Sequence, residues 1–157
     1  MLADYHANSM NMRFCLLLLV AAALSACPSP NISPMSRDKA AKASILRADQ
    51  ARLYVLRKST FIAGGVMIPV VLNSQVVGQV AVGTYLMLEL KPGHYILSST
   101  LEGNNKEYEV DAAGGHSYFI EQKIGWLPGG AYYDPVSDSE GRSAVQKLKR
   151  VQEHFTQ

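Results

Sequence analysis

Thr84-Tyr85-Leu86-Met87-Leu88-Glu89-Leu90-Lys91-Pro92-Gly93-His94-Tyr95-Ile96-Leu97-Ser98-Ser99-Thr100 is the stretch that decides the fold. Leu86, Leu88 and Leu90 fall on one side of an extended chain, and Tyr85, Met87 and Glu89 fall on the other. That two-residue period is the signature of a strand. Lys91-Pro92-Gly93 then reads as a turn, with Pro setting a fixed φ and Gly allowing a positive one. His94 to Thr100 reads as the returning strand, with Tyr95 and Leu97 sharing a side. Outward from this pair the same grammar continues. Leu53-Tyr54-Val55-Leu56 lies between Arg52 and Arg57, and Val66 to Leu72 carries Pro69, a mark of an edge or a bend. Asn73-Ser74 is a turn before Val76-Val77-Gly78-Gln79-Val80. Asn104-Asn105 turns into Lys106 to Asp111, and Gly114-Gly115 leads into Ser117 to Ile124. Short strands at such regular spacing predict a mainly β protein, an antiparallel β-sandwich or barrel, and a single antiparallel β-sandwich of about seven strands is the reading we adopt. One short C-terminal helix is expected from Ser139 to His154, with Val145, Leu148, Val151 and Phe155 near one face.

Composition narrows the function classes. The chain has 157 residues, 48% of them hydrophobic and 18% charged, which suits one packed domain and excludes a disordered chain. Fifteen basic against thirteen acidic residues give a net charge of +2, with no electrostatic case for nucleic acid.

The N-terminal segment reads as an address. Met12-Arg13-Phe14 leads into the apolar run Leu16 to Val20 and then Ala21-Ala22-Ala23-Leu24-Ser25-Ala26-Cys27, the layout of a secretory signal peptide. The uninterrupted run from Phe14 to Ala23 is shorter than the roughly 20 residues a membrane span needs, so a retained transmembrane helix is the weaker reading. Asp4 places an acid where a basic region belongs, which points to a translation start at Met10 or Met12. Leu24-Ser25-Ala26-Cys27 resembles the lipobox of bacterial lipoproteins. That resemblance implies lipid attachment to the Cys27 sulfur, cleavage before Cys27 and acylation of the new amine. The competing reading is a conventional signal peptide that Cys27 merely follows. Cys15 would leave with the signal, so no intramolecular disulfide remains available to the mature chain. Pro28-Ser29-Pro30-Asn31-Ile32-Ser33-Pro34 reads as a flexible tether, and Ser36 to Asp49 as linker or marginal helix. The expected organisation is a signal peptide over residues 1–26, the lipid attachment site and linker over 27–50, and the sandwich with its helix over 51–157.

Little in the chain announces chemistry. It contains no GxxxxGK[ST] loop, GxGxxG or Gly-x-Ser-x-Gly elbow. His94, His116 and His154 lie far apart in sequence without a carboxylate at ligand spacing, so neither a catalytic nor a metal-binding role is assigned to them. Glu107, Glu109 and Asp111 alternate on one strand face and could attract a divalent cation, but a solvated sheet face is the reading we adopt. Trp126, in the glycine-rich loop Gly125 to Gly130, reads as a lid over the core rather than a binding residue. Arg142, Lys147, Lys149 and Arg150 make the C-terminal segment basic. They suit either anionic head groups or the negative end of a helix dipole, and the second is adopted. No catalytic residue, metal or cofactor is expected.

The ordered series Ala51-Arg52-Leu53-Tyr54-Val55-Leu56-Arg57, Pro69 to Gly78, Gly83-Thr84-Tyr85 and Leu90-Lys91-Pro92-Gly93-His94-Tyr95 resembles the domain of unknown function 2846 family, over about residues 50–150. It also resembles the wider class of PEGA-type and carboxypeptidase-regulatory-type β-sandwich modules. Asn73-Ser74 departs from the family's Asp-Gly-like turn. The resemblance implies a bacterial envelope lipoprotein and brings no catalytic residues. The function expected is a lipid-anchored, non-catalytic envelope protein facing the periplasm. It would join the membrane through Cys27 and bind an envelope protein or peptidoglycan. Pro28 stands where an Asp would mark inner-membrane retention, which points to the outer membrane. The alternative is a small periplasmic ligand-binding protein or enzyme whose site forms only on folding; a polar-lined pocket containing His94 or His116 would favour it.

Overall fold

A computed structural model of the chain describes residues 29–43, 45–58, 65–125 and 129–154. The segment read as a signal peptide, with Leu24, Ser25 and Ala26, and also Cys27, Trp126 and Phe155, lies outside the described residues. The elements run α1 (Met35–Ala43), β1 (Ala51–Arg57), β2 (Ile68–Leu72), β3 (Gln75–Val80), β4 (Thr84–Leu90), β5 (Gly93–Ser98), β6 (Tyr108–Ala112), β7 (Ser117–Ile124), β8 (Ala131–Val136), α2 (Asp138–Lys147) and β9 (Lys149–Arg150). The strands form two sheets, ordered β8-β7-β1-β4-β9 and β3-β2-β5-β6. The mainly β, sandwich-like arrangement matches the expectation, with nine strands among the described residues.

The opening stretch behaves as its alternation requires. Leu86, Leu88 and Leu90 enter the core between the sheets with Leu53, Val55, Val70, Val77, Leu97 and Val110. Tyr85 and Met87 face the other way, yet they too are buried, beneath Tyr54, Leu56, Phe119 and the two helices. Lys91-Pro92 carries the chain from one sheet to the other, so β4 and β5 are not hairpin partners. Gly93 is extended at the start of β5 and does not adopt the positive φ expected of it. The Asn73-Ser74 turn does need positive φ at both residues, 47° and 67°. This is the twist of a two-residue primed hairpin turn. Asn73 fixes it by accepting the Ile96 N–H on its side-chain oxygen at 2.8 Å.

Several expectations need correction. The sandwich is not purely antiparallel: β1 pairs in parallel with β7, and β4 with β9. A parallel pair needs a long crossover but not a helical one, and here the intervening chain builds the second sheet between β1 and β7. Pro69 lies in β2, an interior strand. It is tolerated because β5 pairs only with Val71 and Leu72, and because the register against β3 shifts between Val70 and Val71. The C-terminal helix stops at Lys147. Leu148 is extended (φ −90°, ψ 158°), and Lys149 and Arg150 then pair with Thr84 and Tyr85. Val145 and Leu148 therefore pack under the helices, while Val151 enters the core between the sheets. Of the two readings for Ser36 to Asp49, the helix is the one realised, over Met35–Ala43. It is docked through Ala41, so the folded body begins upstream of Ala51.

The described residues thus form three layers: two helices, the five-stranded sheet and the four-stranded sheet. All seven residues of β1 are buried, because both faces of its sheet are covered.

Candidate functional site

Three places gather polar chemistry. The first is where the chain enters the fold. Ile32 pairs antiparallel with Val151, the Ser33 N–H donates to the Arg150 carbonyl at 2.9 Å, and the Gln152 N–H donates to the Asn31 carbonyl at 2.8 Å. Asn31 also donates from its side chain to Gln152 Oε1 at 3.0 Å. Residues 31–33 therefore add themselves to the β9 edge of the five-stranded sheet. Pro34 then opens α1, its carbonyl accepting the Asp38 N–H. The helix is pinned by Asp38, which takes the Tyr85 hydroxyl on one carboxylate oxygen and Lys42 Nζ, at 2.9 Å, on the other. Lys42 also donates to the Leu148 carbonyl at 3.0 Å. Burial, and next the hydrogen bond to Asp38, push the Tyr85 hydroxyl far above its ordinary pKa. Cys27 stands four residues upstream of Asn31.

The second place is a cleft of about 180 Å³ at the shared end of β1, β7 and β8, lined by Arg57, Lys58, Glu121, Gln122, Lys123 and Tyr132. Lys58 Nζ lies 3.2 Å from Glu121 and also bonds Glu140, while Lys123 Nζ lies 2.7 Å from Asp134 and 3.7 Å from Glu121. These bonds raise the pKa of both lysines, Glu140 being the main cause for Lys58 and Asp134 for Lys123. The lining thus carries three basic side chains, Arg57, Lys58 and Lys123, against one acidic one, Glu121, while Glu140 and Asp134 engage the two lysines from outside it. The Gln122 side chain donates to the Pro69 carbonyl at 3.1 Å and to the Tyr133 hydroxyl at 2.9 Å. Tyr133 donates in turn to the Ser98 carbonyl. This network ties the sheets together across the core.

The third place is the outer face of the four-stranded sheet. His94 on β5 sits opposite Asp111 on β6, with Nδ1 2.8 Å from the Asp111 carboxylate and Nε2 3.9 Å from Glu109. The Asp111 hydrogen bond, reinforced by the charges of Asp111 and Glu109, raises the imidazole pKa above its ordinary value. Sequence spacing hides this carboxylate partner, because residues 94 and 111 meet only through strand pairing. Glu107 precedes β6 and is exposed. Among the described residues no three His, Cys, Asp or Glu side chains are grouped to hold a metal ion.

The other histidines lie elsewhere. His116 Nδ1 bonds its own turn at the Gly114 carbonyl (2.9 Å), and the His154 N–H donates to the Val77 carbonyl. His94 and His116 are both exposed, and neither lines the charged cleft. Arg142 bonds Asp138 at 2.8 Å one helical turn away, and Arg150 bonds Glu153 at 3.2 Å. Sequence reading missed the Asp38–Lys42 and Asp138–Arg142 pairs, although their i,i+4 spacing signals them. The Lys58–Glu121–Glu140 junction has no sequence signal, since the residue after β1, β7 and α2 supply it.

With this geometry in view, the comparison with known proteins is direct. Residues 47–131, just over half of the chain, match the family described as protein of unknown function (DUF2846). The chain belongs to that family. The DUF2846 match runs from just before β1 to the first residue of β8, so it takes in all four strands of the second sheet and leaves both helices outside. An uncharacterised protein of Haemophilus influenzae is 29% identical over 140 residues, covering 86% of this chain and 82% of the relative. Among the described residues no helix is long and apolar enough to cross a membrane.

Proposed function

We propose that this DUF2846 protein is a lipid-anchored, non-catalytic component of the bacterial cell envelope. It faces the periplasm, in the outer membrane of a two-membrane cell, and binds an envelope protein or peptidoglycan. The observation that carries this reading is the entry of the chain into the fold. The lipobox-like Leu24-Ser25-Ala26-Cys27 ends four residues before Asn31, where the chain is first held by the body through its pairing with Gln152. A thiol at that position lies ahead of the folded edge, where lipid can be attached without disturbing the core. A binding role is supported by the charged cleft, whose lysines are engaged by carboxylates, and by the outer face of the four-stranded sheet, where His94, Glu109 and Asp111 are exposed.

Labelled palmitate should enter the wild-type protein and be absent from Cys27→Ala. Incorporation into the variant, or none into either protein, removes the anchor from this reading. In-cell crosslinking of the anchored protein should recover a partner, and recovery at background level counts against the binding role.

A further inference from the structure

The entry strand limits how the body can sit on a membrane. We propose that the exposed flank of α1, together with Ile32, rests on the lipid head groups, which turns the outer face of the four-stranded sheet away from the membrane. This rests on the reading that Cys27 carries lipid.

The argument begins with reach. Asn31 is held to Gln152 by backbone and side-chain hydrogen bonds, and Ile32 and Ser33 continue the pairing. The free leash is therefore only Cys27 to Asn31, four residues that span at most about 14 Å. The polar layer on one side of a bilayer takes up on the order of 5–8 Å of that reach. The slack left over is smaller than the roughly 10–12 Å diameter of a helix. The edge carrying residues 31–33 must then stay at the lipid surface.

Chemistry at that edge fits the position. Ile32 is 38% exposed and Met35 is 73% exposed. Arg37 and Lys39 are exposed on α1, and Lys149 is exposed on β9 beside the entry strand. The acids here are already engaged: Asp38 by Lys42 and Tyr85, Glu153 by Arg150. The outer face of the four-stranded sheet, on the far side of the three layers, presents Glu109 and Asp111 beside His94, with Glu107 exposed next to them. Anionic head groups attract the first surface and repel the second. With layers spaced about 10 Å apart, the far face stands on the order of 20 Å above α1, where a partner rather than lipid would meet it.

The test uses the acylated chain, in which an introduced cysteine is the sole free thiol. Met35→Cys or Lys39→Cys, and separately Glu109→Cys, are labelled with a fluorophore. The proteins are reconstituted into phosphatidylcholine–phosphatidylglycerol vesicles containing a head-group quencher, and mass spectrometry reports acylation of Cys27. Labels at 35 and 39 should be quenched several-fold more than the label at 109. Insertion of twenty Gly/Ser residues after Cys27 should erase that difference. Acylated protein with equal quenching at all sites, or a difference that survives the spacer, overturns the orientation and leaves the anchor standing. An unmodified Cys27 mass overturns both.

Discussion

The two sheets share one core but differ on their outer faces, and the difference organises the molecule. The outer side of the five-stranded sheet is a second apolar surface of Tyr54, Leu56, Tyr85, Met87 and Phe119, roofed by α1 and α2. Tyr54 and Phe119 stack there at 4.7 Å with their rings 9° apart. The outer side of the four-stranded sheet instead presents His94, Glu109 and Asp111 to solvent. Among the described residues both helices therefore pack on the five-stranded sheet and neither on the outer side of the four-stranded one. The apolar scaffold and the charged, exposed surface are segregated onto different layers.

The largest effect should come from removing part of the roof. A chain begun at Ala51 loses α1, the Ile32–Val151 pairing and the Asp38 bonds to Tyr85 and Lys42, and exposes the apolar surface beneath. It should aggregate or lose cooperative thermal unfolding. A chain begun at Ser29 should unfold cooperatively, and equal melting of the two would break the contrast.

Point changes grade it. Leu56 is fully buried beneath the helices, so Leu56→Ala should cost about 2–5 kcal/mol. His94→Ala on the bare face should stay within about 0.5 kcal/mol. Urea titration of both variants measures the gap, and similar losses would mean that the outer faces are energetically alike.

Gly141 tests how closely the roof is seated. Glycine to alanine inside a helix ordinarily gains about 1 kcal/mol. Here an added Cβ would land on the Cβ and ring of Phe119, which the Tyr54 stack holds in place. Gly141→Ala should therefore destabilise, by about 1–3 kcal/mol as an overpacked contact. A rise in melting temperature would show that α2 can lift without loss.

The smallest effect lies on the bare face and depends on pH. The folded-state pKa of His94 is raised above 6.5 by the Asp111 bond. Its contribution to stability is therefore present below the unfolded value and lost as pH rises through the folded one. The pair is exposed and screened, so the stability change should be slight, but the titration itself is readable by NMR. His94 should titrate above 6.5 in the wild type, and Asp111→Asn should move it back towards the ordinary value. An unmoved titration would separate His94 from Asp111.

Legibility in the sequence follows the same division. On β6 one face is wet, so Tyr108, Val110 and Ala112 alternate with Glu109 and Asp111, and the inward set can be read directly. On β1 both faces are dry. Leu53-Tyr54-Val55-Leu56 announces a strand, but its continuous apolar run does not say what covers the second face. The cover comes from α1 and α2, whose exposed sides are polar enough that α1 also reads as linker. The charged cleft is illegible for a related reason, since Lys58, Glu121 and Glu140 come from three places far apart in the chain, the end of β1, β7 and α2.

By itself the sequence determined strands β1 to β7, the turn at Asn73-Ser74, the inward faces of β4 and β6, and the family, but neither β8 nor β9. Each is written in neighbouring residues through the two-residue period of a strand or the φ demands of a turn. Tertiary structure alone decided the parallel pairing of β1 with β7, the end of α2 at Lys147, the meeting of His94 with Asp111 and the stitching of residues 31–33 onto β9. These depend on which distant segments close on one another. Backbone hydrogen bonding and the burial of two apolar faces choose that closure, and no local pattern records it.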